Sequence, residues 1–182
     1  MKGTLNNSLE ARYTITKMAK DAWVSFTADK NVAWVADLLR EMNEQATTHT
    51  PEVHFENSVI HLSVELSRKY KGEIGEYVLA RGTIRATYDT ECVRTLKPMQ
   101  ESMTAEFKTC FVPTTVTQSE EYAETGEIWL DGDTWEMYPY EKNQIDVSEM
   151  IHEQTFLNYN YYPRLDADGP LDADLPSDKP RQ

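Results

Sequence analysis

The sequence predicts an α+β fold: an antiparallel β-sheet, built as a meander plus a hairpin, packed with two helices and followed by a disordered acidic C-terminal tail. Three observations carry this. Apolar and polar residues alternate over long stretches between residues 58 and 111, the period of half-buried strands. Asp131-Gly132 separates two β-rich runs, and a tight hairpin turn needs residues that tolerate positive φ. Apolar residues recur at helical spacing near residues 32–42 and again near 147–157.

Residues 1–26 mix polar and apolar side chains without clear periodicity. A helix is predicted over residues 28–45, with Thr27 as its N-cap and Val32, Val35, Leu38, Leu39 and Met42 as its apolar stripe. Residues 47–51 read as a loop. The first predicted strand, residues 58–67, places Ile60, Leu62, Val64 and Leu66 on one face and His61, Ser63 and Glu65 on the other. Residues 69–75 are polar, contain two glycines, and read as a turn. The second strand, residues 77–88, turns Val78, Ala80, Ile84 and Tyr88 one way and Arg81, Thr83, Arg85 and Thr87 the other. Gly82 in its middle marks a bulge or the close approach of another backbone. The third strand, residues 99–111, points Met103, Ala105 and Phe107 inward, and short connections make the three an antiparallel meander.

A loop over residues 113–126 leads to the hairpin, residues 127–140. The second helix begins with Asp146 as cap and Glu149 completing a capping-box-like pair, with Ile145 and Met150 placed as a hydrophobic staple. Its apolar face is Val147, Met150, Ile151 and Leu157, and it ends near Asn158. Residues 1–163 then form a single domain. Residues 164–182 are the tail, where Leu-Asp-Ala-Asp occurs at Leu165 and again at Leu171. Proline and like charges favour disorder there.

The chain has 182 residues, 40% hydrophobic and 27% charged, as expected of a soluble globular protein. It has no apolar run of the roughly 18 residues a membrane span needs, and its first ten residues lack a signal peptide's apolar stretch. Two cysteines cannot build a disulfide framework, which points to a reducing cytoplasm. The net charge of -13 is unevenly placed: residues 1–118 hold 15 acidic and 14 basic side chains, residues 119–182 hold 16 and 4. Phosphate backbones repel such a last third, so any contact with RNA belongs to the nearly neutral part or to a protein bridge.

Several segments resemble a known family in order and spacing, over residues 78–163. A strand with Gly82-Thr-Ile-Arg-Ala-Thr leads into Glu91-Cys-Val-Arg-Thr-Leu-Lys-Pro98, and the next strand ends Thr109-Cys-Phe-Val-Pro113. Some thirty residues on, Gln144-Ile-Asp-Val-Ser-Glu-Met-Ile151 opens a helix that leaves through Asn160-Tyr-Tyr-Pro163 into an acidic segment. This series is similar to the bacterial family of large ribosomal RNA subunit accumulation proteins, the YceD family. The resemblance implies a cytoplasmic, non-catalytic accessory factor that supports accumulation or processing of 23S rRNA. Its implied partner is large-subunit rRNA or the pre-50S particle, met directly or through a basic ribosomal protein, with no cofactor and no membrane. Family members carry a Cys-x-x-Cys pair that looks able to hold zinc; here the pair is Cys92 and Thr95, and threonine supplies no thiolate. No metal is therefore expected.

The candidate partner-binding residues are Arg81, Arg85, Cys92, Arg94, Lys97, Tyr161 and Tyr162. The arginines and Lys97 can present a small basic patch, since a guanidinium grips two phosphate oxygens, although Asp89 and Glu91 interleave with them. A solvated, self-paired strand face is the plainer account of them. Cys92 is either a contact or an inert turn cysteine. Tyr161 and Tyr162, with Tyr159, either stack on bases, anchor a protein, or close the core under the last helix. His49, His54 and His61 are irregularly spaced, and the Asp-Ala-Asp repeats lack the glycine and glutamate of a calcium loop. Phosphate-binding glycine loops, nucleophile elbows and paired-histidine motifs are absent, which argues against the common enzyme classes, an unrecognised hydrolase included. The rival reading is an acidic module that holds a basic protein without touching RNA.

Overall fold

In the computed structural model, which describes residues 9–46 and 57–165, the alternating stretches build a six-stranded mixed sheet. Its strands are β2 (Asp21–Ala28), β3 (Val59–Lys71), β4 (Gly75–Glu91), β5 (Pro98–Pro113), β6 (Glu127–Leu130) and β7 (Asp133–Tyr140), in the order β2-β3-β4-β5-β7-β6. A second, two-stranded sheet pairs β1 (Arg12–Thr14) with β8 (Gln144–Asp146). The helices are α1 (Ala33–Ala46), the single turn α2 (Thr114–Thr117) and α3 (Val147–Leu157).

The meander β3-β4-β5 and the hairpin β6-β7 are as the alternation predicts, and Asp131 and Gly132 both take positive φ, 55° and 81°. The sheet is nonetheless not purely antiparallel. After β5 the chain passes through α2 and lays β6 at the far edge, and the tight turn then folds β7 back between them. β7 therefore runs parallel to β5, from Thr109 opposite Glu136 to Pro113 opposite Tyr140. The inner place falls to β7 because each of its faces carries a buried aromatic, Trp135 on one side and Tyr138 on the other.

Three boundaries differ from the sequence expectation. The stretch without evident periodicity contains β1 and β2; in β2, Val24, Phe26 and Ala28 are buried while Trp23, Ser25 and Thr27 face solvent. Thr27 is thus a strand residue whose hydroxyl lies 2.8 Å from His61 Nδ1, not a helix cap, and α1 begins only at Ala33. Residues 69–71 continue β3, pairing with Tyr77, Glu76 and Gly75, so the turn shrinks to residues 72–74. Leu157 is 69% exposed rather than part of the buried face of α3, because the core below the helix end is filled by Tyr159. The expected loop at residues 47–51, His49, His54 and the acidic tail beyond residue 165 lie outside the described residues.

One sheet face packs against α1 and α3. Val35, Leu38, Leu39 and Met42 meet Ile60, Leu62, Ile84, Tyr88, Phe107, Met150 and Ile151 in the main core. The other face carries a smaller core only at its β5–β7–β6 end, where Tyr77, Leu79, Cys110, Val112, Val116, Ile128, Leu130 and Trp135 pack together. Elsewhere on that face His61, Glu65, Arg81, Arg85 and Glu106 are exposed.

Candidate interaction surface at the turn after β4

β4 and β5 are joined by a six-residue reversal, residues 92–97. The Cys92 N–H donates to the Lys97 carbonyl at 3.0 Å, and the Leu96 N–H donates to the Cys92 carbonyl at 2.8 Å. Closing the reversal this way puts Leu96 in the left-handed region, φ 57°. Cys92 is fully buried, whereas Val93, Arg94, Thr95, Leu96 and Lys97 are exposed.

The chain leaving α3 runs against this turn. Tyr159 fills the core beneath it, stacked on Tyr88 at 5.2 Å, with its hydroxyl donating to the Met42 carbonyl at 2.8 Å. Burial pushes the Tyr159 phenol up to about 12. Asn160 donates to Glu101 at 3.1 Å, and the Pro163 carbonyl then accepts the Val93 N–H at 2.9 Å. Turn and exit segment become one surface. Tyr161 packs edge-on against Tyr159 at 4.9 Å and is 49% exposed, and Tyr162 is 77% exposed. The three tyrosines thus divide their roles: Tyr159 closes the core, and Tyr161 and Tyr162 remain outside.

Of the sequence candidates, Cys92, Arg94, Lys97, Tyr161 and Tyr162 belong to this end of the sheet. Arg81 and Arg85 do not. Arg81 lies ten residues back along β4, about 30 Å at strand rise, on the open face. Its guanidinium sits 5.3 Å above the Trp135 ring, which also carries Lys108 at 5.2 Å, and Lys108 pairs with Asp133. That ion pair holds the Asp133 carboxyl below its usual range. A depression of about 520 Å³ lies here, lined by Trp23, Glu65, Arg81, Glu106, Lys108 and Asp133 among others. Its three carboxylates face two cations already engaged with Trp135, a poor setting for an anion. Arg85 stands between His61 and Thr104 in the strand register.

The sequence reading passed over Val93 and Leu96, which are 41% and 50% exposed. Their signal was available: two aliphatic residues inside a six-residue turn have no core to enter. Trp23, 64% exposed at the rim of the depression, was missed together with its strand.

The residues at the Cys-x-x-Cys position do not fit a zinc ion. Thr95 is exposed, Cys92 is buried, and Cys110 belongs to the smaller core, where burial pushes its thiol up to about 12. Among the described residues no group of three or more His, Cys, Asp or Glu side chains converges as metal ligands would. Nor, among those residues, is any helix long and apolar enough to cross a membrane.

The family model described as large ribosomal RNA subunit accumulation protein YceD matches residues 80–179, a span that takes in the turn after β4, α3 and the exit segment. No curated protein and no solved structure matches the chain.

Proposed function

Because the chain belongs to the YceD family of large ribosomal RNA subunit accumulation proteins, we propose that it is a cytoplasmic, non-catalytic accessory factor in making the large ribosomal subunit. It acts by associating with the immature large-subunit particle and so supports accumulation or processing of 23S rRNA. The observation that carries this reading is the surface formed where the Val93 N–H meets the Pro163 carbonyl. All its residues lie within the family match, and it exposes Arg94, Lys97, Tyr161 and Tyr162 together.

The charge distribution favours a particle over naked RNA. With a net charge of -13 and few cations at the surface in question, few phosphates can be neutralised, so counterion release adds little affinity. The test is cosedimentation of the purified protein with immature large-subunit particles and, separately, with their extracted RNA. Stronger association with particles than with RNA is expected. Arg94→Glu should leave the melting temperature unchanged, weaken particle association, and lower 23S rRNA levels in cells that depend on it. A variant that folds and associates like the parent makes Arg94 a structural turn residue. Failure of the parent to cosediment with any large-subunit precursor sinks direct association.

The placement of nearly all the net charge in residues 119–182 supports a second reading, in which the acidic third holds a basic ribosomal protein and RNA is never touched. In that case excess RNA would not compete for the protein, and Arg94→Glu would leave association intact.

A further inference from the structure

We infer that Leu96 is the anchor through which this surface grips a protein component of the immature particle, seated in an apolar pocket bordered by carboxylates. The inference rests on the particle-binding reading above. It starts from the backbone. Non-glycine residues with positive φ among those described are Leu96, Asp131, Lys142 and Asn143. Asp131 and Asn143 are residue types that tolerate this region, and Lys142 shares a tight turn with Asn143. Leu96 is different: a γ-branched aliphatic side chain on a left-handed backbone, where glycine or asparagine would close the same turn with less strain. Burial does not offset that strain, since half of Leu96 is exposed. Strained backbone persists where the surroundings hold it, and it concentrates where chains bind partners.

Its neighbours define the partner's chemistry. Val93, Tyr161 and Tyr162 are also exposed, so the turn and the exit segment bonded to it at Val93 and Pro163 present apolar and aromatic side chains, and Arg94 and Lys97 flank Leu96 along the turn. Apolar centres with a charged rim, anchored by a few aromatic, aliphatic and arginine side chains, are the anatomy of protein interfaces. An aliphatic side chain offers RNA neither a hydrogen bond nor a ring to stack on, and RNA contacts are built from those and from cations. Carboxylates around the pocket would complement Lys97, the exposed cation that follows Leu96. The turn is also pre-ordered by its bonds from Cys92 to Lys97 and from Val93 to Pro163, so little freedom remains to be lost on docking.

The test uses full-length Leu96→Gly and Leu96→Asn, both compatible with the left-handed turn. Melting temperature and oligomeric state are measured on each protein alone. Cosedimentation is measured with immature large-subunit particles and with RNA extracted from them. The expected result is a melting temperature at or above the parent's, unchanged binding to extracted RNA, and particle binding weakened by about tenfold in both variants. Particle binding equal to the parent's overturns the anchor while leaving the assembly reading standing. A lower melting temperature in both variants makes Leu96 a structural residue, and weaker binding to extracted RNA makes it an RNA contact. A changed oligomeric state makes the occupant a second copy of this chain. No cosedimentation by the parent overturns the assembly reading and this site with it.

Discussion

Gly82 stands in the middle of the longest strand, opposite Val64 on β3 and Phe107 on β5. The ladder runs through it without a bulge, so of the two meanings a mid-strand glycine can have, the close approach of another backbone is the one realised. A Cβ built there would collide with the Ser63 carbonyl oxygen and lie 2.9 Å from Val64 Cα and 3.0 Å from the Phe107 ring. The phenylalanine ring can shift; the β3 backbone cannot without breaking its pairing. Gly82→Ala is therefore expected to lower stability by about 2 kcal/mol, the scale of overpacking in a closed core. Urea denaturation would read this as a lower midpoint at unchanged slope. A midpoint within error of the parent's would mean that β3 yields more freely than its two-sided pairing suggests.

At the scale of elements, α3 shows what local sequence can and cannot announce. Asp146 is legible as a cap, and its Oδ1 accepts the Ser148 N–H at 3.0 Å. Its Oδ2 accepts from Arg12 at 3.0 Å, a bond across 134 residues that follows from the β1–β8 pairing and has no local signature. Burial works to raise the Asp146 carboxyl, but the hydrogen bonds from Ser148 and Arg12 outweigh it and hold the group below its usual 3.8. A lowered folded-state value means stability that is present above the unfolded value and lost as pH falls through the folded one. Asp146→Ala should thus cost about 1 kcal/mol at neutral pH. The gap between variant and parent should begin to close below about pH 4 and vanish once the parent's carboxyl is protonated. Paired urea titrations at pH 7 and at acid pH check this, and a gap that stays constant would mean that the loss does not depend on the charge of the carboxylate. The sheet teaches the same lesson. Asp131-Gly132 announces that β6 and β7 pair, but not which of them docks on β5. The available hint was Trp135 and Tyr138 on opposite faces of one strand, the mark of an interior position. β2 went unread because its alternation spans only three residue pairs beside the charged Lys20 and Asp21.

For the whole molecule, the candidate surface was legible as a set of residues and illegible as a place. Arg94, Lys97, Tyr161 and Tyr162 stand out in order along the chain, yet only the bond from Val93 to Pro163, seventy residues apart, brings the two segments together. No periodicity encodes such a closure. The same bond ties the end of the described residues to the fold, and it bears on the tail. Among the described residues, the main core draws on none later than Tyr159, and the smaller core on none later than Trp135 and Met137. Beyond Leu165 the sequence offers only Leu171 and Leu175 as large apolar side chains, against five aspartates, one lysine and one arginine. So little apolar surface is expected to fall short of the entropy of ordering seventeen residues. A chain ended at Leu165 is therefore expected to melt within about 2 °C of the parent, since a loss of 1 kcal/mol would already move a protein of this size by that much. The family match nonetheless runs to residue 179, so any contribution of this segment is expected in particle association, measured on the same two proteins. A melting temperature lower by more than a few degrees would mean that the tail packs on the fold, and Val93–Pro163 would then be the start of an interface rather than its end.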